Sequence, residues 1–407
     1  MPKDRSSPHK TSLQAQDPRE GSRQQIFDAI RQAGRIARID IAKVAQVSPA
    51  TVTAIASELL SAGLIEEVVP ETEAAQAKRG RPRVALKVRG EAHLIAGMKI
   101  ADRQITAILV DFEGTAIADH TLSIDAAPMP PEQITRLVKQ ALHEVCAKVG
   151  RAFNDIAGVG LGMAGLVDAT RNFVYWSPSL DQRNVEIGTY LEAALPFPVF
   201  IDNDANLVAK AEQLFGNGRD ASDFIVITIE QGVGMGIVID NRIYRGGRGC
   251  GAEFGHTKVQ LDGALCRCGQ RGCLEAYVGD YALLREASVH GHTGDLAALY
   301  ARAQAGDDMA KSIFDRAGRM FSMGLVNVIN FFDPALVILS GEQMAFDFLY
   351  DEKVLRKVQA SVVQVDAPLP EIQVHKWGDL MWAKGAAAYA VEAVSALTIS
   401  TLSRHAA

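Results

Sequence analysis

The chain reads as an α/β protein in two parts, a winged helix-turn-helix at the N-terminus and a larger body of alternating strands and helices. Three observations predict this. Residues 22–63 hold three short helical patterns with clear stops, and alternating apolar residues follow them. Beyond residue 90, buried-looking strands alternate with helical stretches, as in α/β bodies of two lobes with a cleft between them. Charge divides the same way. Residues 1–90 carry 15 Lys+Arg against 10 Asp+Glu, a net of +5, and the remaining 317 carry 27 against 38, a net of −11. A basic head on an acidic body suits two different partners.

In order along the chain, residues 1–20 are polar and proline-containing and read as a disordered tail. The head spans 21–89. Ile26, Ile30 and Ala33 recur at helical spacing until Gly34 stops them, and Ile41, Val44 and Ala45 mark a short second helix. The third helix has the clearest start: Ser48 as cap, Pro49 at the first helical position, an apolar stripe of Val52, Ile55 and Leu59, and Gly63 as the stop. Leu64–Val69 is strand-like, and "RVALKV" alternates as Val84, Leu86, Val88 against Arg83 and Lys87. In a helix-turn-helix the second of the paired helices enters the major groove with its N-terminal residues on the bases. That assigns Ser48, Ala50, Thr51 and Thr53 to double-stranded DNA. "KRGRPR", with Lys78, Arg79, Arg81 and Arg83, falls between the two wing strands as an extended basic strip suited to a minor groove. Taken alone, the same helices are an ordinary packing unit and the strip a solvated linker; wing pattern and charge asymmetry together favour DNA.

In the body, "HLIAGMKIADRQITAILVDFEGTAIADHTL" reads as consecutive strands with a turn at Glu113-Gly114. Helices near 131–149 and 205–215 alternate with the strands "IAGVGLGMAG" and "FPVFIDND"; "FIVITIEQGVGMGIVIDNRIY" forms a second strand group, and the last quarter is mostly helical around "PALVILSG". "GVGLGMAGLVD" (158–168) and "EQGVGMGIVIDN" (230–241) are glycine-rich turns that either bring a ligand close to the backbone or simply turn tightly. Asn203 and Asp204 end an apolar strand, where α/β proteins place ligand-binding groups, and either residue also serves as a helix cap. No short-period repeat is evident.

Five cysteines in 407 residues are too few for a disulfide-built secreted domain. Three of them, Cys266, Cys268 and Cys273, lie within eight positions of "DGALCRCGQRGCLEAY", shortly after His256, which reads as a metal site in a reducing compartment. The first 22 residues lack the apolar core of a signal peptide, and no apolar run is expected to approach the ~20 residues that span a bilayer. The expectation is a cytoplasmic protein with no membrane partner.

The order of "GVGLGMAGLVD", "DNDAN", "GAEFGHTKV", "CRCGQRGCLE", "VNVINFFDPALVILSG" and "KGAAAYA" resembles the ROK family of sugar kinases and repressors over residues 22–395. The resemblance implies a two-lobed, actin-like (ribonuclease H-like) sugar-kinase fold. Its first lobe would span 90–204, completed by a C-terminal helix at 380–397, and its second lobe 205–379. His256, Cys266, Cys268 and Cys273 match the family's zinc ligands, and Asn203, Asp204, Glu253, His256 and Glu275 match its sugar-contacting positions. Three thiolates and an imidazole close a tetrahedron and leave no place for water, as in structural rather than catalytic zinc. Cys146 and Cys250 are expected to be non-ligands.

Kinases of the family carry an Asp-x-Gly-Gly-Thr phosphate loop where this chain has "AGMKIADRQ". By position Lys99 replaces the Asp, Ala101 and Asp102 the glycines, and Arg103 the Thr. A phosphate cradle needs bare backbone N–H groups and a metal-positioning carboxylate, so phosphoryl transfer is not expected and Asp204 becomes a vestigial base. "LSGEQM" has one glycine where those kinases carry a pair. The resemblance thus points to a sugar-responsive transcriptional regulator, more commonly a repressor, acting as a homodimer or homotetramer on a DNA operator with a monosaccharide or sugar-phosphate effector. The alternatives are a sugar kinase with a DNA head and a regulator controlled by a protein partner. "YWSPSLDQRN" (175–184) departs from the family and leaves the sugar unidentified.

Overall fold

The computed structural model describes residues 18–68, 84–125, 128–363, 368–376, 378 and 380–405. They form two compact units, one made of the described residues up to Ala92 with those from Glu392 onward, the other of His93–Val391.

In the first unit, helices Pro18–Ala33, Arg38–Val44 and Pro49–Ser61 pack with strands β1 (Ile36–Ala37), β2 (Ile65–Val68) and β3 (Ala85–Val88). The antiparallel order is β1-β3-β2, so the wing has a third strand, too short to show in the sequence pattern. Ser48 caps the third helix, its side chain accepting from Thr51 N at 3.1 Å. Gly34 and Gly63 end the first and third helices at positive φ, +67° and +70°, where a β-carbon is disfavoured. Ile26, Phe27, Ile30, Ile41, Val52, Ile55, Leu59 and Leu86 form the core. Val44 does not join it; it is 60% exposed. The first helix begins at Pro18, inside the stretch read as a tail. Pro18 occupies its first position, Glu20 lies in the first turn where the helix dipole favours a carboxylate, and Arg23, 2% exposed, ties the helix to Glu58 at 2.7 Å.

The second unit repeats one sheet plan twice. Its first sheet contains β4 (Leu94–Ile100), β5 (Gln104–Val110), β6 (Ala116–Ser123), β7 (Ile156–Met163) and β10 (Val199–Asn203), in the order β10-β7-β4-β5-β6. A two-stranded β8 (Leu166–Asp168) and β9 (Phe173–Trp176) lies beside it in sequence. The other sheet contains β11 (Phe224–Ile229), β12 (Val233–Ile239), β13 (Arg242–Ile243), β14 (Leu336–Ser340) and β15 (Glu371–His375), in the order β13-β12-β11-β14-β15. Read from opposite ends, the two orders are the same: three consecutive antiparallel strands, then two parallel ones reached by helical crossovers. Each sheet has its own apolar core.

Residues 158–163 lie within β7, not in a turn, and their glycines serve packing. A β-carbon on Gly160 would stand 1.8 Å from Ala386 O, and one on Gly97 2.1 Å from Ala383 O. The Met381–His405 helix therefore rests directly on the first sheet. Its segment Met381–Leu402, mean hydropathy 1.3, is long and apolar enough by composition to cross a membrane, a run the sequence expectation did not include. Half of that segment is buried inside the protein, which is the behaviour of a core helix.

Candidate functional site

On the first unit, Ser48, Ala50 and Thr53 are exposed and Thr51 half-buried, and the exposed stripe continues through Ala54 and Ser57 at helical spacing. Hydroxyls are spent locally: Thr53 donates to Pro49 O and Ser57 to Thr53 O, each at 2.9 Å, while Ser48 is engaged as the cap. The helix thus presents a smooth face of small side chains, which permits close approach to another surface. Ala54 and Ser57 extend the sequence-based set and follow from it by periodicity. Lys78, Arg79, Arg81 and Arg83 lie outside the described residues.

In the second unit the His256, Cys266, Cys268 and Cys273 ligand atoms all lie within 4.8 Å of one another. Zinc–sulfur bonds of about 2.3 Å at tetrahedral angles place two sulfurs about 3.8 Å apart; Cys268 and Cys273 Sγ are separated by 3.7 Å. His256 Nδ1 is 3.7 Å from Cys266 Sγ, while Nε2 faces the Glu253 carboxylate at 4.0 Å. One ring nitrogen thus belongs to the cluster and the other faces Glu253. Lys258 Nζ, 2.9 Å from Cys273 Sγ, supplies a positive charge that suits a thiolate. The donor set, its spacing and this neighbour fit a closed four-coordinate zinc. Cys146 lies buried in the helix Pro131–Lys148, and Cys250 is outside the cluster.

The clip bears on a group of carboxylates. Glu275 begins the helix Glu275–Val278; its Oε2 accepts from Val233 N at 3.3 Å, and its Oε1 accepts from Tyr281 OH at 3.4 Å. Glu253 lies close enough to Asp204 and Glu275 to feel both, and burial together with these charges pushes it up to about 7 against the pull of His256. Asn203 and Asp204 sit where β10 meets the helix Asp204–Phe215. The Asn203 amide is committed to structure: Oδ1 accepts from Ala205 N at 2.9 Å and Nδ2 donates to Gly165 O at 2.7 Å. Asp204, partly exposed, keeps Oδ2 directed at Lys99. Asp204, Glu253, His256 and Glu275 are thus brought together, with Asn203 behind them as the helix cap.

Lys99 closes one corner of this group, a role its sequence position did not announce. Its Nζ is 3.8 Å from Asp204 Oδ2, 3.5 Å from Glu230 Oε2 and 3.8 Å from the centre of the Trp382 ring. Burial pushes Glu230 up to about 8; Lys99 opposes this, while Glu342 and Asp204 add to it. The hairpin that follows, Ala101–Arg103, is held by Ala101 N donating to Gln104 O at 2.9 Å, with Asp102 and Arg103 exposed. Glu230 and Trp382 carried no signal of their own in the sequence, although Glu230 opens "EQGVGMG".

A duplicated sheet, a group of facing carboxylates and, beside it, a cluster of one histidine and three cysteines accord with a two-lobed protein of the actin-like sugar-kinase fold. The ROK family profile matches residues 95–393, and the chain belongs to the ROK family. It is 27% identical over 304 residues to the xylose repressor of Bacillus spizizenii (75% of this chain, 77% of that one) and 28% identical over 340 residues to the DNA-binding transcriptional repressor Mlc of Escherichia coli K12 (80% and 82%). It is also 33% identical over 266 residues to a glucokinase of Streptomyces coelicolor (61% and 81%). Among solved structures, a ROK family transcriptional regulator described as a homologue of the E. coli Mlc protein superposes with a TM-score of 0.77 at 23% identity, covering 94% of this chain and 99% of that one. A ROK glucokinase from Streptomyces griseus, in complex with glucose and AMPPNP, gives 0.63 at 29% identity over 73% and 99%.

Proposed function

We propose that this protein is a sugar-responsive, DNA-binding transcriptional regulator, acting as a repressor of carbohydrate uptake or catabolism genes, whose kinase-like body senses sugar without phosphorylating it. One observation carries the reading. A winged helix-turn-helix head shares a chain with a ROK body in which Lys99, not a carboxylate, stands at the phosphate corner and pairs with Asp204 and Glu230. The repressor names of relatives that align over most of their length support it. The head binds a duplex operator through Ser48, Ala50, Thr51 and Thr53, with the basic strip Lys78–Arg83 in the minor groove. A monosaccharide contacts Asp204, Glu253, His256 and Glu275, and Asn203 sets their scaffold. Zinc, held by His256, Cys266, Cys268 and Cys273, is structural: when bound it fixes the 256 and 266–275 loops against the cleft. In a homodimer or homotetramer in the cytoplasm, sugar binding changes the spacing of two heads on half-sites one helical turn apart, which forfeits binding.

The test is selection of bound duplexes from a random library, followed by fluorescence anisotropy of the selected duplex with and without D-xylose, D-glucose and N-acetyl-D-glucosamine. A selected site whose affinity falls about tenfold or more in one sugar, with no ADP formed from ATP·Mg²⁺, is the expected result. Sugar-dependent ADP formation instead returns the protein to the kinases, a second reading that the 33% identity to a glucokinase keeps in view.

A further inference from the structure

At the position where kinases of the resembled family carry a phosphate-loop Asp, this chain places Lys99, which is paired within the protein. Lys99 reaches from the end of β4 to Asp204 at the foot of the first lobe's last strand, to Glu230 at the end of β11 in the second sheet, and to the Trp382 ring on the long C-terminal helix. Its side chain is 15% exposed, Asp204's 23% and Glu230's 19%, so the group is largely withdrawn from water and its charges are little screened. The second oxygen of Glu230, Oε1, is buried with no hydrogen-bond partner, so nothing there offsets the cost of burying the ionised carboxylate. A protonated Glu230 leaves Lys99 and Asp204 as a matched pair, and an ionised Glu230 makes the corner net negative. In neither state is a positive charge left over.

We propose that Lys99 is a positioning residue that reserves this corner for an uncharged sugar hydroxyl: it pairs with Asp204 and fixes it as an acceptor, and its charge, already committed to Asp204 and Glu230, offers little to a phosphoryl group. The effector is then a free monosaccharide and not its phosphate ester. A hydroxyl arriving at Asp204 donates to a carboxylate that already has its counter-ion. A phosphate ester at the same hydroxyl would bring a dianion against Asp204, with Glu253 and Glu275 nearby, while Lys99 is already paired with Asp204 and Glu230. The inference rests on the reading of the cleft as a sugar site.

Isothermal titration of the full-length protein with D-xylose, D-glucose and N-acetyl-D-glucosamine, and with the 6-phosphates of the two hexoses, tests it in the wild type and in Lys99→Met, Lys99→Arg and Glu230→Gln. The wild type is expected to bind one neutral sugar and its phosphate, where one exists, at least tenfold more weakly. Lys99→Met should lose about tenfold in neutral-sugar affinity, the scale of one charge-assisted contact, and Lys99→Arg should recover part of it. Glu230→Gln, which keeps the Lys99–Asp204 pair, should keep neutral-sugar affinity within about threefold. Circular dichroism melts of each variant separate lost folding from lost contact. Tight binding of a phosphate by the wild type, or unchanged sugar affinity in a folded Lys99→Met, overturns the role of Lys99 and leaves the sugar site standing. No heat from any neutral sugar or phosphate with the wild type overturns the sugar site and this inference with it.

Discussion

Glu230 makes the stability of the body depend on pH in a direction opposite to that of most carboxylates. Its folded-state value is about 8, raised from 4.5 chiefly by burial, with Glu342 and Asp204 adding to the shift and Lys99 opposing it. Below about pH 4.5 the carboxyl is protonated in folded and unfolded chains alike, and its contribution is fully present. Between 4.5 and about 8 the unfolded chain has released the proton and the folded one retains it, so stability falls as pH rises, by at most about 1.4 kcal/mol per unit. From pH 5.5 to 7.5 that is a loss of about 2 to 3 kcal/mol from this one group. Gln cannot ionise, so Glu230→Gln should remove this component and become more stable relative to wild type as pH rises through the window. The assay is urea unfolding at half-unit pH steps, followed by tryptophan fluorescence, to which Trp382 beside Lys99 contributes. Parallel pH profiles for the two proteins would refute the reasoning, because they would mean that Glu230 is ionised in the folded state throughout.

Two further outcomes follow from the same geometry. One zinc per chain is expected by inductively coupled plasma mass spectrometry; Cys268→Ser or chelation should lower the melting temperature by several degrees and abolish sugar binding together with it, whereas Cys250→Ser should do neither. Gly160→Ala should cost about 4 kcal/mol or more, or prevent folding, since the new methyl meets the Ala386 backbone oxygen at 1.8 Å, and neither the strand nor the helix yields there; soluble yield and thermal melts report it.

The head was legible in the sequence because its signals are local. Ser48, Pro49 and Gly63 punctuate one helix by capping chemistry that acts within a turn of chain, and the structure shows the Ser48 cap and the positive φ at Gly63. The cysteine cluster was legible for a similar reason: ligand spacing within eight residues constrains itself, and only His256 had to be brought in from outside. What stayed hidden depends on pairing across long separations. The first wing strand is two residues long and exists only because Ile36 and Ala37 meet Leu86 and Ala85, some fifty positions on. The duplicated sheet order leaves no trace as a repeat, because strand topology is conserved by packing and not by residue identity. The glycines of "GVGLGMAG" read as a turn that either served a ligand or simply turned tightly, since glycine serves a close-approaching ligand, a tight turn and a close-approaching helix alike. Only the Met381–His405 helix lying against Gly160 separates them.

The duplication also explains why Lys99 and Glu230 meet. Lys99 lies one residue before the last pair of the β4–β5 ladder, Ile100 with Ile105, and Glu230 one residue beyond the last pair of the β11–β12 ladder, Ile229 with Val233. They lie two positions apart in corresponding hairpins of the two sheets, and their 3.5 Å contact makes a change of charge in one felt by the other. A carboxylate at position 99, as in the phosphate loop that Lys99–Arg103 replaces, would add a third carboxylate to Asp204 and Glu230 and create a corner stable only with a bound cation or bound protons. Lys99 supplies that cation covalently. Lys99→Asp is therefore expected to melt well below both wild type and Lys99→Met at pH 8, and to recover stability with millimolar Mg²⁺ or Mn²⁺, while Lys99→Met gains nothing from either ion. Differential scanning fluorimetry across a metal titration reads the difference. A Lys99→Asp protein as stable as Lys99→Met, and indifferent to divalent ions, would show that the three side chains do not share one electrostatic corner.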